Sequence, residues 1–247
     1  MDEKLDTGEV YIKKNRFSKW FENFWYHYKW HSLIALFLVF TITVCTLQMC
    51  EKEKYDAYIL YAGGHAFARE SSDGDFPEYV KAKDSIERFV SDYDGNGESN
   101  ISFRDLYTPT ESELKEKDEE SFAERAYNDR NALATTMMSG DFFLCFFAPE
   151  VFENYNSVGS NEASIFCDLT KYIPDGSAIV FYEGTKTGIL LSSLDFYKLP
   201  GISALPSDTV IAIRNASFSS HLDDRDNNRD LERAIEIFQK ILAYDVP

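Results

Sequence analysis

From His31 to Cys50 the chain carries no Asp, Glu, Lys or Arg. Ser32–Cys50 is 19 residues, and a helix of that length, at about 1.5 Å per residue, nearly matches the roughly 30 Å hydrocarbon core of a bilayer. The run HSLIALFLVFTITVCTLQMC is apolar all round and lacks the polar face of a helix lying on a soluble core. Its three Thr are no obstacle, because a Thr hydroxyl can bond back to its own helix. We read residues 31–50 as a transmembrane helix. A cleaved signal peptide has a short charged leader, whereas about 30 residues precede this run. A lipoprotein signal ends in Leu-small-small-Cys, and Leu47-Gln48-Met49-Cys50 has no small residue in the middle.

Flanking positive charge sets the orientation. Lys13, Lys14, Arg16, Lys19 and Lys29 precede the span, against Lys52 and Lys54 after it, each beside an acid. The N-terminus is therefore expected in the cytoplasm and the larger part outside, on a single-pass protein of the cell membrane. Residues 1–30 form an aromatic and basic juxtamembrane segment. It holds all three Trp of the chain, Trp20, Trp25 and Trp30. They are expected at the membrane interface, where rings sit at headgroup level and lysines snorkel to phosphate. Phe17, Trp20, Phe21, Phe24 and Tyr28 share one side of a helix, so docking of a partner is the alternative use of this segment.

After a short stalk (51–55) comes an acidic domain, 56–247. Residues 51–247 hold 19 basic and 37 acidic side chains, within a chain of net charge -17. That balance excludes a dedicated nucleic-acid binder, which needs basic surface to replace phosphate counterions. The apolar fraction of 44% and charged fraction of 27% are those of a folded protein. Four Cys at irregular spacing give neither a disulfide framework nor a zinc site.

Strands and helices alternate along this domain. Ala57–Ala62 reads as a strand closed by Gly63-Gly64, Phe76–Val90 as a helix, and Ile101–Tyr107 as a second strand. A long helix is predicted over 111–138, then a buried strand at Phe142–Phe147 and a short helix at Pro149–Tyr155. Ile165–Leu169 is ambiguous, Ala178–Tyr182 and Thr187–Leu191 read as strands, and Thr209–Ile213 as another buried strand. A helix over Asp230–Leu242 closes the chain, with Leu231, Ala234, Ile235, Phe238 and Leu242 on one face. The pattern predicts one three-layer α/β domain with a mixed sheet.

The order SGDFFLCFFAPEVFENY, SIFCDLTKYIPD, GILLSSLDFYKLPG and DTVIAIRN resembles the first lobe of extracellular solute-binding proteins. FENFWYHYKWHSLI is similar to the start of uncharacterised single-pass membrane proteins of Gram-positive anaerobes. The resemblance implies one lobe of a periplasmic-binding-protein fold and a solute-binding role. A clamshell pocket needs a second lobe, and only about 50 residues follow Tyr197.

The densest polar cluster runs from Asp92 to Asp105. Calcium takes six to eight oxygens, and acids alternating around a Gly turn supply them. Asp92-x-Asp94-x-Asn96-Gly97 matches the first half of an EF-hand or dockerin loop, whereas the twelfth position is Phe103 and the nearest acid is Asp105. A plain Gly/Asn-rich turn explains the same residues. With calcium as cofactor, Asp92, Asp94, Asn96 and Asp105 would be the ligands. Asp223-Asp224-Arg225-Asp226 reads as solvated surface at a helix start. His65 follows the first strand, a usual ligand position in α/β sheets, and is a candidate ligand-binding residue. His65 and His221 are the two His beyond the span, and no phosphate-loop, nucleophile-elbow or zinc-protease motif accompanies them. Cys145 and Cys167 read as packed thiols, and no catalytic residue is assigned.

These features make the chain a membrane-anchored extracytoplasmic binding or interaction module. Its expected partners are the lipid bilayer, a membrane or envelope protein, and a small-molecule ligand, with no nucleic acid. The alternative is a divergent solute-binding or ligand-sensing protein working with a transporter.

Overall fold

The computed structural model describes residues 16–50, 55–68, 76–116, 120–157, 164–174, 179–216 and 224–245. The chain divides into two compact units between residues 53 and 54. In the first, helix α1 runs unbroken over Arg16–Cys50. It contains neither Pro nor Gly, the usual causes of a kink. Thr41, Thr43 and Thr46 donate their hydroxyls to the carbonyls of Phe37, Val39 and Ile42 at 2.7–2.9 Å, so the three polar side chains are satisfied within the helix.

The second unit is an α/β fold around a five-stranded mixed sheet of order β2-β1-β3-β5-β4. The strands are β1 (Ala57–Gly63), β2 (Ile101–Tyr107), β3 (Leu144–Phe147), β4 (Gly188–Leu190) and β5 (Val210–Ile213). β1 runs parallel to both β2 and β3, while β5 is antiparallel to β3 and to β4. The central strands are continuous apolar runs because both faces of the sheet are covered. On one face Ile59, Phe103, Phe146, Ile211 and Ile213 pack with α2 (Glu78–Glu87) and α6 (Asp224–Leu242), which contributes Ala234, Ile237, Phe238 and Ile241. On the other, Leu60, Ala62, Leu106, Cys145 and Ala212 pack with Leu133 and Met137 of α4 (Glu120–Ser139) and Phe152 of α5 (Pro149–Asn156).

The helix read over 111–138 is described as α3 (Glu111–Glu116) and α4. α3 opens on a capping box: the Glu113 carboxylate accepts the Thr110 amide at 2.7 Å, and Thr110 Oγ1 accepts the Glu113 amide at 3.2 Å. The strand read at Ala178–Tyr182 is, among the described residues, a single bridge from Phe181 to Ile189, followed by a 3-10 turn at Tyr182–Gly184. Ile165–Leu169 likewise contributes one bridge, Phe166 to Arg214, before a 3-10 turn at Leu169–Lys171. His221 and most of the stalk lie outside the described residues.

β1 sits between its two parallel neighbours, so the connection after it and the connection into β3 leave on opposite sides. Such a reversal opens a crevice at the carboxyl ends of the strands, where α/β folds bind ligands.

Candidate functional site

At that carboxyl edge a groove of about 400 Å³ lies between α4 and α5. Thr108 and Pro109, which follow β2, form one end. Arg130 and Leu133 come from α4, and Glu150, Val151, Asn154 and Tyr155 come from α5. The α5 residues are spaced i, i+1, i+4 and i+5, which puts them on one face of the helix. Tyr155 is held by stacking on Phe147, with ring centroids 6.5 Å apart. Burial raises its phenol pKa, so the hydroxyl stays protonated. Arg130 donates an Nη2 hydrogen bond to the Pro109 carbonyl, which fixes its guanidinium at the rim. None of these residues stands out in the sequence. They come from a loop and two helices separate in sequence, so no local spacing gathers them.

His65 lies at the same edge but does not line this groove. Its Nε2 is 2.9 Å from Oε2 of Glu78, and its amide donates to the Tyr61 hydroxyl at 3.0 Å. Glu78 Oε2 also accepts the Ala68 amide at 3.1 Å. The imidazole therefore ties the loop after β1 to the first turn of α2. Burial pushes the Cys145 thiol up to about 12 and the Cys167 thiol to about 11, so neither is a thiolate nucleophile at neutral pH. The two are free and pack into opposite cores of the sheet.

The Asp92 loop folds around its own carboxylates. Asp92 accepts the amides of Gly95 at 2.7 Å, Asn96 at 3.2 Å and Gly97 at 2.8 Å. These bonds, that of Gly97 foremost, hold its carboxyl below the usual range. Asp94 accepts the Asn96 amide and Nδ2, each at 3.0 Å, and Asn96 Oδ1 accepts the Glu98 amide at 2.8 Å. Gly95 and Gly97 take φ of +77° and +91°, which side-chain-bearing residues rarely adopt. Asp105 is not part of this group. It lies four residues further along β2 than Ile101, where its carboxylate meets Arg125 Nη2 of α4 at 2.8 Å.

The third carboxylate of the loop is Asp56, which sequence spacing does not reveal. It is 3% exposed and stands immediately before β1. Its Oδ1 accepts the amides of Tyr93 at 2.8 Å and Asp94 at 3.3 Å, and its Oδ2 accepts that of Asn100 at 3.0 Å. Carboxylate oxygens of Asp56, Asp92 and Asp94 lie within 4.8 Å of one another, a spacing that a divalent cation could bridge. The amides already compensate part of this charge. Asp56→Ala takes the acceptor from three partly buried hydrogen bonds, those of the Tyr93, Asp94 and Asn100 amides, and should cost about 1–3 kcal/mol in urea unfolding. A loss below about 0.5 kcal/mol would show that these bonds to Asp56 carry no stability. Calcium titrated into fragment 55–247 raises its melting temperature where these acids take an ion, and an Asp92→Ala/Asp94→Ala variant then loses the gain. No shift at millimolar calcium leaves a turn held by its own hydrogen bonds.

Arg214, just after β5, carries no sequence signal that sets it apart from a surface cation. It is 1% exposed, and its Nε, Nη1 and Nη2 have no hydrogen-bond partner among the described residues. Burial lowers its pKa, and the Phe143 ring, 5.7 Å away, offers it a π face. No protein-family model matches the chain, and neither a curated protein nor a solved structure is significantly similar to it.

Proposed function

We propose that the chain is a membrane-anchored extracytoplasmic binding module, with its N-terminus in the cytoplasm and its acidic α/β domain outside. One observation carries the membrane reading. Asn23–Thr46 of α1, 24 residues with a mean hydropathy of 1.5, has none of its length buried. Leu36, Phe37, Val39, Phe40 and Ile42 are each more than 60% exposed. Side chains of this kind on every side of a helix need an apolar medium around the whole circumference, which a bilayer provides.

The three Trp support anchoring over docking to a partner. Trp20, Trp25 and Trp30 are 61%, 46% and 69% exposed. Each five-residue step turns the helix by about 140° and advances it about 7.5 Å. The indoles therefore point to three sides, as a belt surrounded by headgroups requires, and not toward one partner. The whole of α1, at about 1.5 Å per residue, is some 50 Å long and exceeds the roughly 40–45 Å of a bilayer with its headgroups. The imbalance of basic residues across the span orients it N-terminus inward.

The binding role rests on the concave groove at the carboxyl edge of the parallel strands, of a size suited to a small molecule. Large exposed apolar side chains in the second unit, Phe76, Tyr127, Met138 and Val180, are spread over several elements. A protein-docking patch would gather them. This favours a ligand-sensing or solute-binding use over a purely structural contact, with a transporter or envelope complex as the further partner. Full-length protein should stay in the membrane pellet through an alkaline carbonate wash, and deletion of residues 31–50 should release the domain. Full-length protein in the wash would overturn the anchor.

A further inference from the structure

We infer that the groove between α4 and α5 binds a small zwitterion, its carboxylate on Arg130 and its ammonium group on Glu150, an assignment that rests on the binding-module reading. Arg130 stands on one wall and Glu150 on the other, and no ion pair joins them. A guanidinium has five N–H donors. The Pro109 carbonyl occupies one Nη2 hydrogen of Arg130, so others remain for a carboxylate.

Glu150 and Asn154 are exposed on the groove side of α5 and half-buried Tyr155 lies beside them, so their polar groups are open to a ligand in exchange for water. Thr108, only 7% exposed, forms one end of the same groove.

Charge narrows the ligand class. Residues 51–247 hold 37 acidic against 19 basic side chains, a field that repels a simple anion. A simple cation would meet Arg130. A molecule carrying both charges satisfies each wall and has no net charge for the domain to repel. Its apolar body would lie on Leu133, Val151 and the Tyr155 ring. The volume of about 400 Å³ is near the lower end of the range for small-molecule sites and suits something the size of a short peptide or an amino-acid derivative.

Full-length protein in detergent micelles would be titrated calorimetrically with the dipeptide L-leucyl-L-leucine, its N-acetyl form and its methyl ester. The dipeptide should bind, and each blocked form should bind about tenfold more weakly, the loss of one charge-assisted contact. Glu150→Gln should abolish the penalty for acetylation and leave that for esterification. Arg130→Gln should do the reverse. Both residues are on the surface, and unchanged circular dichroism would confirm that the variants fold. Equal binding of blocked and unblocked forms would overturn the zwitterion assignment and leave the binding module standing. Dipeptide binding indifferent to both substitutions would place the seat elsewhere and overturn the proposal alone. No binding of any form at about 10 mM, weaker than any specific site, would overturn the proposal and remove the groove as support for a binding role.

Discussion

A chain that ends before Asp230 should lose the whole α/β domain, not a tail. Helix α6 places Ile237, Phe238 and Ile241, each 0% exposed, and Ala234, 5% exposed, against the sheet. Their neighbours belong to β1, β3 and β5, the middle of the structure. Truncating one large buried side chain typically costs about 2–5 kcal/mol. Three such losses together are comparable with the roughly 5–15 kcal/mol that holds a domain folded. Phe238→Ala alone should cost about 3–5 kcal/mol. The intact fragment 55–247 contains no Trp, so its unfolding can be followed by Tyr fluorescence beside circular dichroism. Both signals should report one coincident urea transition, because one sheet joins the two cores. A stable fold after deletion of 230–247, or two separated transitions, would show that the sheet is not a single cooperative unit.

The elements that could be read from sequence are those whose pattern is dictated by burial. Ile101–Tyr107 is the second strand to the residue, and the apolar runs around Leu60, Phe146 and Ile211 are the three central strands. Their continuous hydrophobicity reflects helices on both faces, and the 3.6-residue period of Leu231–Leu242 reflects helix packing on one. Strand order and the antiparallel direction of β5 leave no such mark, since pairing is decided by contacts distant in sequence. The weak places are at the edge of the sheet. Ala178–Tyr182 has strand composition, yet the described part makes only the Phe181 bridge, because β4 beside it is three residues long. A short edge offers few amides to extend, and Glu183 then turns away at φ 45°.

Legibility of the sites follows the same rule. Asp92, Asp94 and Asn96 act within one loop, so their spacing was informative. Asp56 joins them from across the start of β1, and Asp105 leaves them for Arg125, and neither contact has a local signature. The groove is assembled from one loop and two helices that are separate in sequence. Arg214 ends an apolar strand, a position where a cation normally marks emergence into water. Here the backbone at Phe166 bridges to it, and the residue is 1% exposed.

The central claim is that one helix carries the acidic domain across a membrane to its outer face. The most direct measurement is protease accessibility in intact cells. A tag placed after Pro247 and a second before Met1 report the two ends. The account predicts that added protease removes the C-terminal tag and the domain beyond about residue 55, while the N-terminal tag survives until the cells are opened. Survival of the C-terminal tag in intact cells, with loss of the N-terminal one, would reverse the orientation. Survival of both until lysis would place the domain inside and contradict the account.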